Sequence, residues 1–333
     1  MRDEVYEPSM EKEILDQFRT PGGNQAMGHI FPPGVSRIYG QPLGAPVLDS
    51  EAIDRLMDGA FDTHIHPGPD PYQLRIGDQI DLALEACQAG MGGVLFKSHQ
   101  LPTAATAVLV QKVVRQWARE HDRKPVDVFG GVVLNYSVGG LNPAAVEVNA
   151  RIGGRVVWTP TADSHHYRTL LGESGGIRIL DEDDRVVAPM REVLRLIAEG
   201  DLVLNISCLW VKEVFHLIDE AKALGVQRIN FVHPNHPCSL ATVEQMQIAA
   251  EKGAFVELTR NFGADFFSWG VFMEAYKLIG PDRLIAASDA GYFARTTPVV
   301  CMKVYITEML LHGIPEADIE KMIKTNPRRL LYR

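Results

Sequence analysis

Two histidines one residue apart, His64 and His66, close the short apolar run Gly59-Ala60-Phe61-Asp62-Thr63-His64-Ile65-His66, and Pro67-Gly68-Pro69 stops it at once. Read as a β-strand, the run alternates its side chains, so Asp62, His64 and His66 are expected on one face and Phe61, Thr63 and Ile65 on the other. Two imidazoles then converge on one point, which is half of a metal site. A catalytic zinc site needs at least three protein ligands and an open position, and other strand-like runs supply candidates where they end. Gly93-Val94-Leu95-Phe96-Lys97-Ser98-His99 ends with Lys97 and His99 on one face. Ile229-Asn230-Phe231-Val232-His233 ends in His233, and Leu284-Ile285-Ala286-Ala287-Ser288-Asp289 ends in Asp289. One such aspartate is as readily a helix cap, and one such histidine a hydrogen-bonded structural residue. Their joint appearance at strand ends is what points to chemistry.

The elements that must position these groups recur regularly. Apolar, β-branched-rich runs begin near Phe61, Val94, Val128, Val156, Leu202, Ile229, Phe255 and Leu284, at intervals of 33, 34, 28, 46, 27, 26 and 29 residues. Between them lie stretches with helical periodicity: Asp78 to Ala89, Thr103 to His121, Pro143 to Ile152, Met190 to Glu199, Val211 to Leu224, Ser239 to Glu251 and Trp269 to Ile279, with another from Pro298 to Leu311 after the eighth run. Strand and helix alternating eight times at about 30 residues per unit predict a (β/α)8 TIM-type barrel, whose sites lie at the carboxyl ends of the strands. A doubly wound open sheet is the alternative, but it gives no reason for eight even units. The surplus in the 46-residue interval, residues 163–188, reads as a long loop able to cover the site. Residues 1–57 break the pattern: a short helix from Met10 to Phe18 precedes a Gly/Pro-rich stretch from Thr20 to Pro46 that carries Ile30, Phe31, Ile38, Tyr39, Leu43 and Val47. An extended amino-terminal arm, packed on the barrel (58–333) or on a partner subunit, is expected there.

Composition narrows the partner. The apolar fraction is 46% and the charged fraction 23%, ordinary for a globular chain with a sizeable core. A formal net charge of −9 argues against nucleic acid or an anionic membrane, both of which need a basic face, so a small-molecule substrate is expected. The acidic amino terminus is no signal peptide, and no apolar run approaches the roughly 18 residues that span a bilayer. Cys87, Cys208, Cys238 and Cys301 lie far apart without a Cys-x-x-Cys, which fits reduced thiols and a cytoplasmic location. A homo-oligomer is expected from the arm.

Asp62-Thr63-His64-Ile65-His66, His233, Ser288-Asp289 and the closing Asn326-Pro327-Arg328-Arg329-Leu330-Leu331 together resemble the metal-dependent amidohydrolase superfamily. Lys97-Ser98-His99, Gly139-Gly140-Leu141-Asn142-Pro143 and Val157-Trp158-Thr159-Pro160-Thr161 are similar to an uncharacterised bacterial amidohydrolase-like subgroup. The resemblance implies a divalent ion, zinc before manganese or iron, that deprotonates a water for attack on an amide, cyclic amide, urea or lactone carbonyl. His64 and His66 would be ligands, Asp289 both ligand and proton shuttle, and His233 a further ligand. A water on zinc has a pKa near 7, and an adjacent carboxylate can take its proton and return it to a leaving nitrogen. Lys97 as an ammonium would repel the ion, whereas carboxylated it could bridge two. The superfamily usually places that lysine on the fourth strand, not the second.

The fifth run, Val203-Leu204-Asn205-Ile206-Ser207-Cys208, lacks the histidine common in the superfamily. Cys208 stands where a thiolate could ligate, or packs as a small hydrophobe; His165 and His166 in the long loop are other substitutes. Candidate substrate contacts by position are Arg75, His99, Tyr136, Trp158, Arg178, Trp210, Arg260 and Asn261. An arginine such as Arg260 can hold a carboxylate in a bidentate fork. Competing readings are a non-oxidative decarboxylase, a phosphoesterase and a barrel whose site has decayed.

Overall fold

The computed structural model describes residues 50–260, 267–292 and 296–332. The arm expected over residues 1–57 lies outside the described residues as far as residue 49. Its last residues form helix α1, Ser50–Met57, which buries Leu56 and Met57 in the core.

Nine strand segments follow: β1 Phe61–Ile65, β2 Gly93–Phe96, β3 Asp127–Phe129, β4 Gly131–Val133, β5 Val156–Trp158, β6 Val203–Ile206, β7 Arg228–Val232, β8 Phe255–Thr259 and β9 Leu284–Ala287. Every neighbouring pair is parallel, in the orders β1-β2-β3 and β4 through β9. Only Gly130 separates β3 from β4, and β3 pairs with β2 while β4 pairs with β5, so the two share one barrel position. The ring closes where Ile65 bridges Ala290 and the His66 amide donates to the Ala290 carbonyl at 2.8 Å. This is the (β/α)8 barrel that the alternation predicts.

Local chemistry sets the helices. In α2 (Gln79–Gln88) the Asp78 carboxylate accepts from the Ile80 and Asp81 amides, satisfying donors that a helix start leaves open. Helix α3 (Ala104–Glu120) buries Ala104, Ala107, Val110, Val114 and Ala118, a stripe spaced by three or four residues. Then come α4 (Pro143–Arg151), α5 (His165–Leu170), α6 (Ala188–Glu199), α7 (Val211–Ala223), α8 (Val243–Glu251), α9 (Trp269–Ile279), α10 (Pro298–Leu311), α11 (Glu316–Glu320) and α12 (Asn326–Leu331). The periodic stretch beginning at Ser239 starts its helix only at Val243. Thr242 is the cap, and residues 233–241 close in turns, the His236 amide on His233 and the Ala241 amide on Pro234.

Strand alternation sorts the core into two layers. Val94, Phe96, Val157, Leu204, Ile206, Phe231, Val256 and Leu258 pack outward into one cluster with the helices. Phe61, Leu95, Val133, Val156, Trp158, Val203, Phe255 and Ile285 fill the barrel's interior with Leu330 and Leu331 of α12. Gly93 is required here, because a Cβ there would lie 2.3 Å from the Phe61 ring. The apolar plug occupies the amino-terminal half of the barrel, so the interior positions one step along each strand are left for polar groups.

Candidate metal centre

Strand β1 does not alternate as a regular strand would. Its register against β2 shifts between Asp62 and Ile65, and such a bulge turns consecutive residues to one side. Thr63 and His64 both reach the same carboxylate: Thr63 Oγ1 donates to Glu257 Oε2 at 2.6 Å, and His64 Nδ1 lies 3.0 Å from Glu257 Oε1. Asp62, expected beside the histidines, instead takes the Ser288 amide at 3.0 Å and the Ser288 hydroxyl at 2.5 Å, tying β1 to β9. Burial pushes the Asp62 carboxyl up to about 7, against those donors. His64 and His66 still converge as the spacing predicts.

Their Nε2 atoms stand 3.2 Å apart, and Asp289 Oδ1 lies 3.4 Å from His64 Nε2 and 3.2 Å from His66 Nε2. Lys97 Nζ is 3.2 Å from His64 Nε2. His233 completes the surround, its ring 5.4 Å from that of His64, and His64, His233 and Asp289 form one group able to hold a metal ion. Three strand-ending residues, Cys208 (φ 56°), His233 (φ 36°) and Asp289 (φ 52°), occupy the left-handed region. That conformation costs of order 1–3 kcal/mol in a non-glycine residue and persists only where the surroundings enforce it. Gly291 allows the last of these turns, since a Cβ there would meet the His66 carbonyl oxygen at 2.0 Å.

Electrostatics keep the site ready for a cation. Burial pushes the His66 imidazole down to about 3 and holds His233 and His99 well below the ordinary histidine value, so their ring nitrogens are neutral. Burial alone would raise Asp289, but His64, His66 and His233 around it hold its carboxyl well below the usual carboxylate range. Glu257 accepts from His64 Nδ1 and, at 3.0 Å, from Asn230 Nδ2, which leaves the His64 Nε2 lone pair directed at Asp289 and His66.

A cavity of about 330 Å³ opens above this cluster. Of the residues singled out by sequence, His66, Lys97, His233, Asp289, Cys208, His99 and Arg75 line it. His99 stacks on His66 with ring centroids 5.0 Å apart and bonds Thr161 Oγ1 at 2.8 Å. Arg75 pairs with Asp70 and lies over the Tyr292 ring at 4.5 Å. From the long loop after β5, Ala162 and Tyr167 contribute to the wall.

The other expected contacts fall elsewhere. Arg260 forks onto Glu308 of α10, Nε to Oε2 at 2.8 Å and Nη2 to Oε1 at 3.1 Å, so its buried guanidinium is bound within the fold. Trp158 alternates with Val156 into the apolar plug and is 1% exposed. Tyr136 sits on a surface turn, 54% exposed. Asn261 lies outside the described residues. His165 Nδ1 bonds the Gly175 carbonyl, and His166 packs against Trp210; neither lines the cavity. Glu257, Asp70, Tyr292, His236 and Cys238 were not anticipated. Glu257 had a signal, a lone charge inside the apolar run Ala254 to Thr259, and buried charges are paired.

The class is thus a closed parallel (β/α)8 barrel with histidines and an aspartate gathered at its strand ends. The solved structures agree on the fold. An amidohydrolase from Pseudomonas aeruginosa superposes with a TM-score of 0.56 at 12% identity, over 84% of this chain and 97% of that one. The probable dipeptidase PvdM from Pseudomonas aeruginosa gives 0.58 at 12% identity, over 85% and 98%. A putative 2-pyrone-4,6-dicarboxylic acid hydrolase from Pseudomonas putida gives 0.53 at 14% identity, over 82% and 97%. No curated protein matches the chain. The chain belongs to a family of unknown function, DUF6282, whose model matches residues 59–257. Among the described residues no helix is long and apolar enough to cross a membrane.

Proposed function

We propose that the chain is a metal-dependent hydrolase that adds water to a C–N bond (amide, cyclic amide or urea-like) or a lactone C–O bond of a small molecule. The observation that carries this is the triangle of His64 Nε2, His66 Nε2 and Asp289 Oδ1, with edges of 3.2, 3.2 and 3.4 Å. Ligand atoms about 2.05 Å from a tetrahedral zinc stand about 3.3 Å apart. Neutral imidazoles and an ionised carboxylate are the donor set zinc takes, and manganese or iron would fit the same atoms. Three ligands leave a fourth position, on the side of the cavity. A divalent ion held there supplies Lewis-acid polarisation of a carbonyl and a more acidic water at neutral pH.

The remaining chemistry belongs to the chain. Asp289 takes the proton of the attacking water and returns it to the leaving nitrogen or oxygen, which balances hydrolysis without another acid. Lys97, buried with its Nζ 3.2 Å from His64 Nε2, stands where the cavity would bring the polar group of a substrate. His99, Arg75 and Tyr292 orient the substrate from the wall, and a cavity of about 330 Å³ suits a small molecule. The superposed dipeptidase and pyrone-dicarboxylate hydrolase act, by their names, on such bonds.

The test is a panel of dipeptides, lactams, hydantoins, lactones, aryl carboxylates and phosphomonoesters, run with and without chelator. Chelator-sensitive hydrolysis of an amide or lactone, lost in Asp289→Asn, is expected. Turnover confined to carbon dioxide or phosphate release would replace this reading with a decarboxylase or a phosphoesterase.

A further inference from the structure

Beside the triangle lies a second set of donors of different character. Cys238 Sγ is 3.7 Å from His233 Nδ1, the His233 and His236 rings are 5.0 Å apart, and the ligand atoms of His233, His236 and Cys238 all lie within 4.8 Å of one another. All three side chains line the same cavity. We propose that His233, His236 and Cys238 form a second metal site, one that takes a soft or borderline divalent ion such as zinc or cobalt.

A thiolate and two imidazoles, with one position left open, suit tetrahedral zinc, whereas hard ions such as magnesium prefer oxygen donors. Sulfur at about 2.3 Å and nitrogen at about 2.05 Å from a tetrahedral ion stand about 3.6 Å apart, and the Cys238–His233 separation is 3.7 Å. The backbone is built to hold these groups in place. Left-handed turns at Cys208 and His233 end their strands, the Cys208 amide donates to Ser239 Oγ at 3.2 Å, and the Ser239 and Leu240 amides both close on the His236 carbonyl. Packing as a small hydrophobe would place the Cys238 thiol in apolar surroundings, not beside two imidazoles. A neutral imidazole has one lone pair. His233 therefore serves this site through Nδ1, leaving His64, His66 and Asp289 as the ligands of the other. His236 Nδ1 accepts the Cys238 amide at 3.0 Å, so ligation through that atom exchanges a hydrogen bond for a coordinate bond.

The site stands on its own residues and does not depend on the hydrolase reading. Its test is a titration of the reduced, metal-free chain with Co²⁺ under argon, following thiolate-to-cobalt charge-transfer absorption in the near ultraviolet. Wild type should show this band. The double variant His64→Ala/His66→Ala should keep it, and Cys238→Ser should lose it while still binding cobalt at the triangle. In unmodified protein, Co²⁺ should shield Cys238 from alkylation, as mapped by peptide mass; this needs no variant to fold. Absence of the band from wild type, its survival in Cys238→Ser, or equal alkylation of Cys238 with and without Co²⁺ would each overturn the proposal.

Discussion

Replacing Glu257 by glutamine tests how the barrel prepares its ligands. The carboxylate takes three donors: His64 Nδ1 at 3.0 Å on one oxygen, Thr63 Oγ1 at 2.6 Å and Asn230 Nδ2 at 3.0 Å on the other. Glutamine has the same shape but only one acceptor oxygen. If that oxygen stays with Thr63 and Asn230, the new amide N–H₂ faces His64 Nδ1, which must then accept. The proton of the neutral ring moves to Nε2, the atom 3.2 Å from His66 Nε2, and the lone pair needed for a metal ion is lost. The reverse orientation keeps the tautomer but sets N–H₂ against Asn230 Nδ2, so Asn230 must turn its amide over to offer Oδ1 instead. Loss of such a supporting partner typically weakens metal affinity by about 10–100-fold, equivalent to about 1.4–2.7 kcal/mol. Competition with a chromophoric chelator would read this directly, with circular dichroism confirming the fold. Glu257→Gln that binds zinc as tightly as wild type would refute the argument that Glu257 sets the His64 tautomer.

Asp289→Asn should lower turnover on a true substrate by about 10²-fold or more, the usual contribution of a positioned general base; a near-wild-type rate would leave Asp289 without a proton-transfer role. Arg260→Ala strands Glu308, which is 1% exposed, and should cost about 3–5 kcal/mol in urea unfolding while metal content is unchanged. Lost substrate affinity at unchanged stability would instead return Arg260 to the site. Gly291→Ala must move the His66 carbonyl away from a contact of 2.0 Å in a left-handed turn, and should weaken both stability, by about 1–3 kcal/mol, and metal binding. Wild-type values for both would show that this turn adapts freely.

Much of the fold was legible because barrel strands are buried on both faces and therefore read as apolar runs, and because several helix starts carry a cap, as at Asp78 or Thr297. The split at Gly130 was not legible, since one residue changes a strand's partner without changing its pattern. Within the site, the convergence of His64 and His66 followed from their spacing, but the bulge that separates Asp62 from them did not. It is set by pairing with β2, thirty residues away. Arg260 illustrates the limit of position as a guide: its end of β8 is right for substrate, but its charge is met by Glu308, 48 residues on. Trp158, a candidate by position alone, follows the alternation from Val156 into the plug. His236 and Cys238 were overlooked because they lie between the sixth run, which ends at His233, and the helical stretch from Ser239, where neither periodicity applies.

The central claim is that His64, His66 and Asp289 hold a divalent ion. Elemental analysis of the purified chain beside His64→Ala/His66→Ala, each checked for an intact fold, tests it most directly. The variant should carry about one metal equivalent less per chain and have no chelator-sensitive hydrolysis. The same metal content in both proteins would contradict the account.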